Sequence, residues 1–470
     1  MMQRPKRWIR GVVIFVAAVM TLGVFGLLLF SVTTTGGWER YQEDVRARGE
    51  PLTFEEIEAT LPSIPDEKNS ALILDELTAV LEAVGEEAKE KGVYLLSDNK
   101  LDLFRGVDPE RLETSRKFRA EHAETLKRLA ALIDRPEGRW RIDPTAAVDP
   151  STQLDLPGIK VLRSASKLVA LDGALKAIDG KADSVAESVR LQWRLADANK
   201  YTPSMIAALV RAAVDALALD TIERGLRLGQ FHPDELQEFE QTLVRRAEED
   251  RFRLALLGER AYLTGMLDGI VSRKFDPGKA APNAVGLRSG FTPQFIYRRN
   301  QHSIGLIIDP LLEASANPER LWECAAQADE RAQELGSLDY LAKMLVPSLS
   351  RACELNARIL LSMHMMRGAI AAERFRIEKG RFPESWDDLV PTYLLAAPID
   401  MYDGRLVRLK ATDEGIVIYS VFENRVDDGG NVEPPAARGR ALDTGYRLVR
   451  PELRTLRIVP ETTEQTASPE

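Results

Sequence analysis

Apolar positions along this chain follow three regimes. From Gly11 to Val32 they form a run of 22 residues without a charge, long enough at 1.5 Å per residue to cross a hydrocarbon core of roughly 30 Å. That run predicts a transmembrane helix. Between about residues 53 and 379 apolar side chains recur every three or four positions, the spacing of amphipathic helices. Beyond Gly380 they shorten to strand-length runs, Leu406 to Leu409, Ile416 to Val421 and Tyr446 to Val449, with a turn at Asp413-Glu414-Gly415.

Capping and breaking residues divide the middle regime. Thr53 with Glu56 forms a capping box that opens a short helix, closed by Pro62 and Pro65. Helices are predicted at roughly 67–91, 109–133, 158–178, 183–198, 203–228, 233–248 and 250–271. Gly180, the Tyr201-Thr202-Pro203 break and the stretch from Gly229 to Pro233 separate several of them. Residues 274–303, rich in Gly, Pro and basic residues up to Gly290, predict a long surface loop. Helices resume at Pro318 to Leu335 and from Ser348, after Pro347, to Lys379, where Gly380 stops the last one. Short connections between long helices imply antiparallel neighbours, and no tetratricopeptide-type period is present.

The expected fold is mainly α, with an N-terminal transmembrane helix, an irregular helical array and a small C-terminal α+β module carrying an antiparallel sheet. The expected organisation is a basic cytoplasmic tail over 1–10, the membrane helix over 11–32, an extracytoplasmic helical region over 38–346, the α+β module over 347–460 and a disordered tail over 461–470.

Charge orients the anchor. Arg4, Lys6, Arg7 and Arg10 precede the apolar run without an acid, whereas Arg40, Arg46 and Arg48 beyond it are mixed with Glu39, Glu43 and Asp44. The positive-inside bias therefore places the N-terminus in the cytoplasm and the bulk of the chain on the periplasmic side of the cytoplasmic membrane, with Trp8 and Trp38 at the two interfaces. A cleavable signal has an apolar core of about 7 to 15 residues and a small-residue cleavage site. The longer run and the Ser31 to Gly37 sequence favour a retained anchor. A net charge of −9 disfavours nucleic acid as a partner. Cys324 and Cys353 are the only cysteines and lie in alanine-rich helical patterns, which suits unpaired core thiols.

The C-terminal residues carry a resemblance. A long helix is followed by Gly380-Arg381-Phe382-Pro383-Glu384-Ser385-Trp386-Asp387-Asp388-Leu389-Val390-Pro391, then Tyr393-Leu394, Pro398-Ile399-Asp400, Ile418-Tyr419-Ser420-Val421 and Asp427-Asp428-Gly429-Gly430. This succession, over roughly residues 350–450, resembles the globular domain of type II secretion major pseudopilins. The whole chain also looks like membrane-anchored planctomycete proteins, a likeness that implies no activity. The anchor opens Arg10-Gly11-Val12-Val13-Ile14-Phe15, without the processing motif and glutamate with which pseudopilins enter their hydrophobic helix. The module is therefore read as borrowed, and no filament is expected. The resemblance implies calcium in the loop after the Tyr-Ser strand, carried over onto Asp427 and Asp428, with Asn424 and Asp443 added as neighbours in sequence. Calcium takes six to eight oxygens. The alternative is an acidic turn, with the carboxylates accepting backbone N–H groups and Gly429-Gly430 supplying positive φ.

No nucleophile elbow, zincin helix or phosphate loop occurs. Met363-His364-Met365-Met366 has soft-ligand chemistry, but helical geometry puts only Met363 and Met366 on one face, which suits core packing. His122 and His232 are expected at the surface. His302, beside Arg298, Arg299 and Asn300, marks a basic cluster fit either for an anion or for a solvated face. Glu259 and Arg260, adjacent on a helix, each require a different partner. The expected function is a membrane-tethered interaction or scaffold protein of the cell envelope with a protein or envelope partner. The alternatives are a hydrolase using dispersed acidic residues and a secretion-system component.

Overall fold

The structure, a computed structural model, describes residues 35–93, 107–140, 158–229, 231–272, 274, 293–432 and 442–454, together with Phe15, residues 19–22 and Phe25. The expected tails at 1–10 and 461–470, most of the 11–32 run and nearly all of the 274–290 stretch lie outside the described residues. Among the described residues no helix is long and apolar enough to cross a membrane.

The protein is mainly helical, with a small three-stranded antiparallel sheet at the C-terminal end. Helix α1 covers residues 35–47. The capping box at Thr53 and Glu56 forms and opens α2, Phe54–Thr60. The single helix expected over 67–91 divides at Leu77 into α3, Ser70–Glu76, and α4, Thr78–Glu90. The helix expected over 109–133 likewise divides, into α5, Pro109–Glu121, capped by Asp108, and α6, Ala123–Ala130. Then come α7, Ile159–Ile178, α8, Ala182–Asp197, α9, Met205–Leu228, α10, Pro233–Glu248, and α11, Arg253–Val271.

Two expectations are corrected. The second half of the predicted loop is the start of a helix, α12, Gln294–Ala314, which carries Pro310 inside it. Its core-facing row begins Tyr297, Asn300, Gln301, Ile304, so two amides occupy positions that a hydrophobic pattern reserves for apolar residues. After α13, Pro318–Glu334, the last helix α14 begins at Tyr340, not after Pro347, and runs unbroken to Lys379 for 40 residues. At 1.5 Å per residue it is about 60 Å long. Gly380, at φ 72°, ends it in the left-handed conformation that glycine adopts without strain.

Three cores result. One joins α3 through α7 to α8 around Leu81, Phe118, Leu129 and Leu162. A second joins α2, α11, α12 and α13 to the first third of α14, including Leu349 and Cys353. The third gathers α8, α9, α10, the rest of α14 from Ala357 to Phe375, and the sheet.

The sheet comprises β1, Arg408–Thr412, β2, Gly415–Ser420, and β3, Thr444–Val449, in the order β1-β2-β3. Register runs Leu409 opposite Ile418 and Ile418 opposite Tyr446. The predicted turn sits between β1 and β2, while the first strand starts two residues later than its apolar run. The Trp386 segment folds back onto α14 where Gly368 leaves room, since a Cβ there would lie 2.8 Å from the indole. The indole N–H donates to the Val407 carbonyl at 2.7 Å, tying helix to sheet.

Candidate functional site

The four residues of the expected calcium loop do converge. Asn424 Nδ2 donates to Asp428 Oδ2 at 2.8 Å. Asp443, fully buried, accepts the backbone N–H groups of Gly430 at 2.8 Å, Asn431 at 3.2 Å and Asp428 at 3.4 Å. Asp427 Oδ1 accepts from the Tyr419 hydroxyl and from Gly429 N–H, both at 2.9 Å. Gly429 and Gly430 stand at φ 79° and 81°. Burial pushes the Asp443 carboxyl up, against the pull of the N–H groups it accepts. Among the described residues no three His, Cys, Asp or Glu side chains gather as a metal-binding group. These hydrogen bonds are those of an acidic turn.

Asp443→Ala strands buried N–H donors and is expected to cost about 1–3 kcal/mol, read as a lower denaturant midpoint. Calcium is expected to leave the midpoint of the unaltered chain where it is. A calcium-dependent rise lost in Asp427→Ala and Asp428→Ala would establish a metal centre instead.

The second constellation joins the two ends of the helical array, and no motif announced it. Arg260 is fully buried on α11. Its guanidinium donates to Glu50 at 3.1 Å, to Asp309 Oδ1 at 2.9 Å and to the Pro51 carbonyl at 3.0 Å. The Tyr41 hydroxyl, on α1, donates to the same Asp309 oxygen at 2.7 Å. Gly305 admits that ring, since a Cβ there would lie 2.3 Å from Tyr41 Cζ. Arg48 and Arg253 complete the cluster from outside, on Asp309 and Glu50. Burial pulls Arg260 down, but Tyr41, Asp309 and Glu50 outweigh it and hold the guanidinium charged. Burial and Asp309 push the Tyr41 phenol up against Arg260, so it stays a donor. The usable signal was the spacing of Trp38, Tyr41 and Val45, all buried, which predicts a packed helix just beyond the apolar run. His302 belongs here too, with its ring against Gly37 and 6.1 Å from that of Tyr41. Burial, with Arg40 and Arg299, lowers its pKa. The basic cluster beside it is neutralised: Arg298 pairs with Asp268, and Arg299 pairs with Asp339 at 2.8 Å.

A third network lies at the centre. Asp215, fully buried on α9, accepts from Arg246 Nε and Nη2 at 3.0 and 2.7 Å and from Arg251. Arg246 also reaches Asp197 at 2.8 Å, and Arg211 bridges Asp197 and Glu249 at 3.1 and 2.8 Å. Burial alone would raise the carboxyls of Asp197 and Asp215, but the surrounding guanidiniums hold both below their ordinary range. Burial pulls Arg251 down to about 10. Each acid here is held by arginine, the arrangement of a structural strut. Glu259, whose pKa is raised by burial, caps α9 by accepting Met205 N–H at 3.1 Å.

The remaining candidates are settled by packing. Met363, Met365 and Met366 are all buried, because between Asn356 and Arg376 no residue of α14 is exposed. Burial, with Arg367, brings His364 down to about 4, so it is neutral at pH 7. His122 is not solvated as expected: its side chain is 13% exposed, stacked edge-on at 4.4 Å from Phe118. His232 is exposed and forms the N-cap of α10. Both thiols are free, and Cys353 is buried.

Two grooves of about 410 Å³ are present among the described residues. One, between α4 and α7, has Phe118 and Leu168 in its floor and Lys160 and Lys167 on its rim. The other is lined by Glu58, Asp66, Asn69 and Arg139, and its Glu58 is already paired with Arg139. No protein-family model, curated protein or solved structure matches the chain.

Proposed function

We propose that the protein is a membrane-tethered extracytoplasmic interaction or scaffold protein of the cell envelope, anchored by residues 11–32 with its N-terminus in the cytoplasm. The observation that carries this reading is the seat of α1. Helix α1, described from three residues after the apolar run onward, is not a free linker: Tyr41, Glu50, Arg260 and Asp309 bind it to α11 and α12 through a buried charge cluster. A tether fixed in this way orients the body as well as retaining it. The 40-residue α14 then carries the C-terminal module, read as pseudopilin-like, away from the anchored end. On that module Leu395, Ile399 and Leu406 are 82%, 54% and 52% exposed, the last two bridged to each other. The adjoining exposed side chains of Ile399 and Leu406 suit a protein partner.

The test is extraction and protection of the full chain in a bacterial host. The protein is expected to stay in the membrane pellet through alkaline carbonate washing, and to be digested by protease added to spheroplasts while a cytoplasmic control survives. Release by carbonate, or protection from external protease, would overturn the reading.

A further inference from the structure

The register of α1 against α12 fixes which end of the body adjoins the anchor. A Cβ on Gly37 would meet the His302 ring at 3.4 Å, Tyr41 lies in the notch at Gly305, and the Tyr41 hydroxyl and Arg48 both reach Asp309. The paired positions rise together, so the two helices run parallel. Helix α11 runs the opposite way: Asp268 pairs with Arg298, the Thr264 carbonyl accepts from Gln301 at 2.8 Å, and Arg253 donates to the Leu312 carbonyl at 3.1 Å. The start of α1, the start of α12 and the end of α11 therefore share one end of the molecule.

The turn between α13 and α14 belongs to the same end. Asn300 Nδ2 donates to the Leu338 carbonyl at 2.7 Å, and its Oδ1 accepts from Leu341 and Ala342 N–H. Arg299 forks onto Asp339 at 2.8 to 3.0 Å. With Gly37 opposite His302, Asn300 lies at the level of residue 35 along α1. The uncharged run ends at Val32, and three residues span at most about 10 Å even when fully extended.

Leu338 and Met344 are exposed at this end, at 36% and 58%, and Lys274 is exposed at the end of α11. Large aliphatic side chains on a charged turn are poorly placed in water but well placed at the boundary between headgroups and acyl chains. We propose that this end of the body, the α13–α14 turn with Leu338 and Met344, rests on the lipid surface beside the anchor, so that the protein touches the bilayer at two places. This rests on the membrane reading of residues 11–32. The occupant is the bilayer and not a protein because the apolar run ends three residues before the level of Asn300, the residue on which the turn packs. Contact is mainly apolar, since Arg298 and Arg299 are neutralised by Asp268 and Asp339, and it persists in high salt, where purely electrostatic adhesion is screened.

The experiment uses the full chain in phospholipid nanodiscs containing lipids with nitroxide-labelled headgroups. Leu338→Cys, Met344→Cys and Leu395→Cys are each made in a Cys324→Ala background and labelled with a fluorophore. Cys353 is buried and its thiol is pushed up by burial, so it does not compete for the label. Quenching at 338 and 344 is expected to exceed that at 395 severalfold, with or without high salt. Equal quenching at the three sites, in protein that co-migrates with the discs and keeps its helical circular dichroism, overturns the lipid contact and leaves the anchor standing. Failure of the unaltered chain to enter discs overturns both. Two independent sites guard against one variant misfolding.

Discussion

Arg260→Met is expected to destabilise the protein by about 3–5 kcal/mol, the usual cost of removing one partner from a buried ion pair. The guanidinium is fully buried and holds Glu50 and Asp309 together with the Pro51 carbonyl. Without it Glu50 and Asp309 face each other across a buried site built for a cation, which Arg48 and Arg253, held on them from outside, do not fill. The loss is expected in two readouts. The denaturant midpoint falls, and trypsin cuts after Arg40, Arg46 and Arg48 at a rate the unaltered chain does not show, because α1 is released from its seat. Arg260→Lys should recover only part of both, since an ammonium cannot reach two acids and a carbonyl from one plane. The triple replacement Arg260→Met with Glu50→Gln and Asp309→Asn should be milder than Arg260→Met alone, because no charge is left stranded in the buried site and Arg48 and Arg253 lie at its solvent-exposed edge. An Arg260→Met protein with unchanged midpoint and trypsin pattern would show that the cluster does not hold α1.

Asp215→Ala is expected to be of similar size, again about 3–5 kcal/mol, but at the centre of the molecule. It leaves Arg246 without two of its hydrogen bonds and Arg251 without its carboxylate. Arg251 also touches Met363 Sδ at 3.8 Å on α14, so the disturbance reaches the longest helix. The same network sets a pH dependence. Asp197 and Asp215 have folded pKa values below their unfolded ones. Their contribution is therefore present above the unfolded carboxylate range, near pH 4, and is lost as pH falls through the folded values. Acid unfolding of the unaltered chain should begin below about pH 4, and Asp215→Ala should flatten that slope. A slope identical in both proteins would remove Asp215 from the acid transition.

Much of the fold was legible because helix ends are written locally. Thr53 with Glu56 and Gly380 each fixed a boundary within a residue or two, since a cap is a matter of neighbouring backbone groups. The loop residues Asp427 and Asp428 were grouped through the pseudopilin resemblance, with Asn424 and Asp443 added as neighbours in sequence, and hydrogen bonds within the loop hold the four together. What failed were places where the core is polar. Asn300 and Gln301 in the buried row of α12 fell inside the predicted 274–303 loop because two amides interrupt the apolar spacing that marks a helix face. Arg260 and Asp215 gave no periodic signal at all. Glu50 and Arg260 stand 210 residues apart, and no local pattern pairs residues at that distance.

The unbroken course of α14 has a consequence for how the chain can be divided. Leu349 to Cys353 are built into the core shared with α11 and α12, and Ala357 to Phe375 into the core shared with the sheet. A cut at Pro347 would leave one half without a wall and the other with a bare greasy edge. The apparent border between two modules is a shared beam, so neither half can be traded between proteins as a cassette unless the beam travels with it.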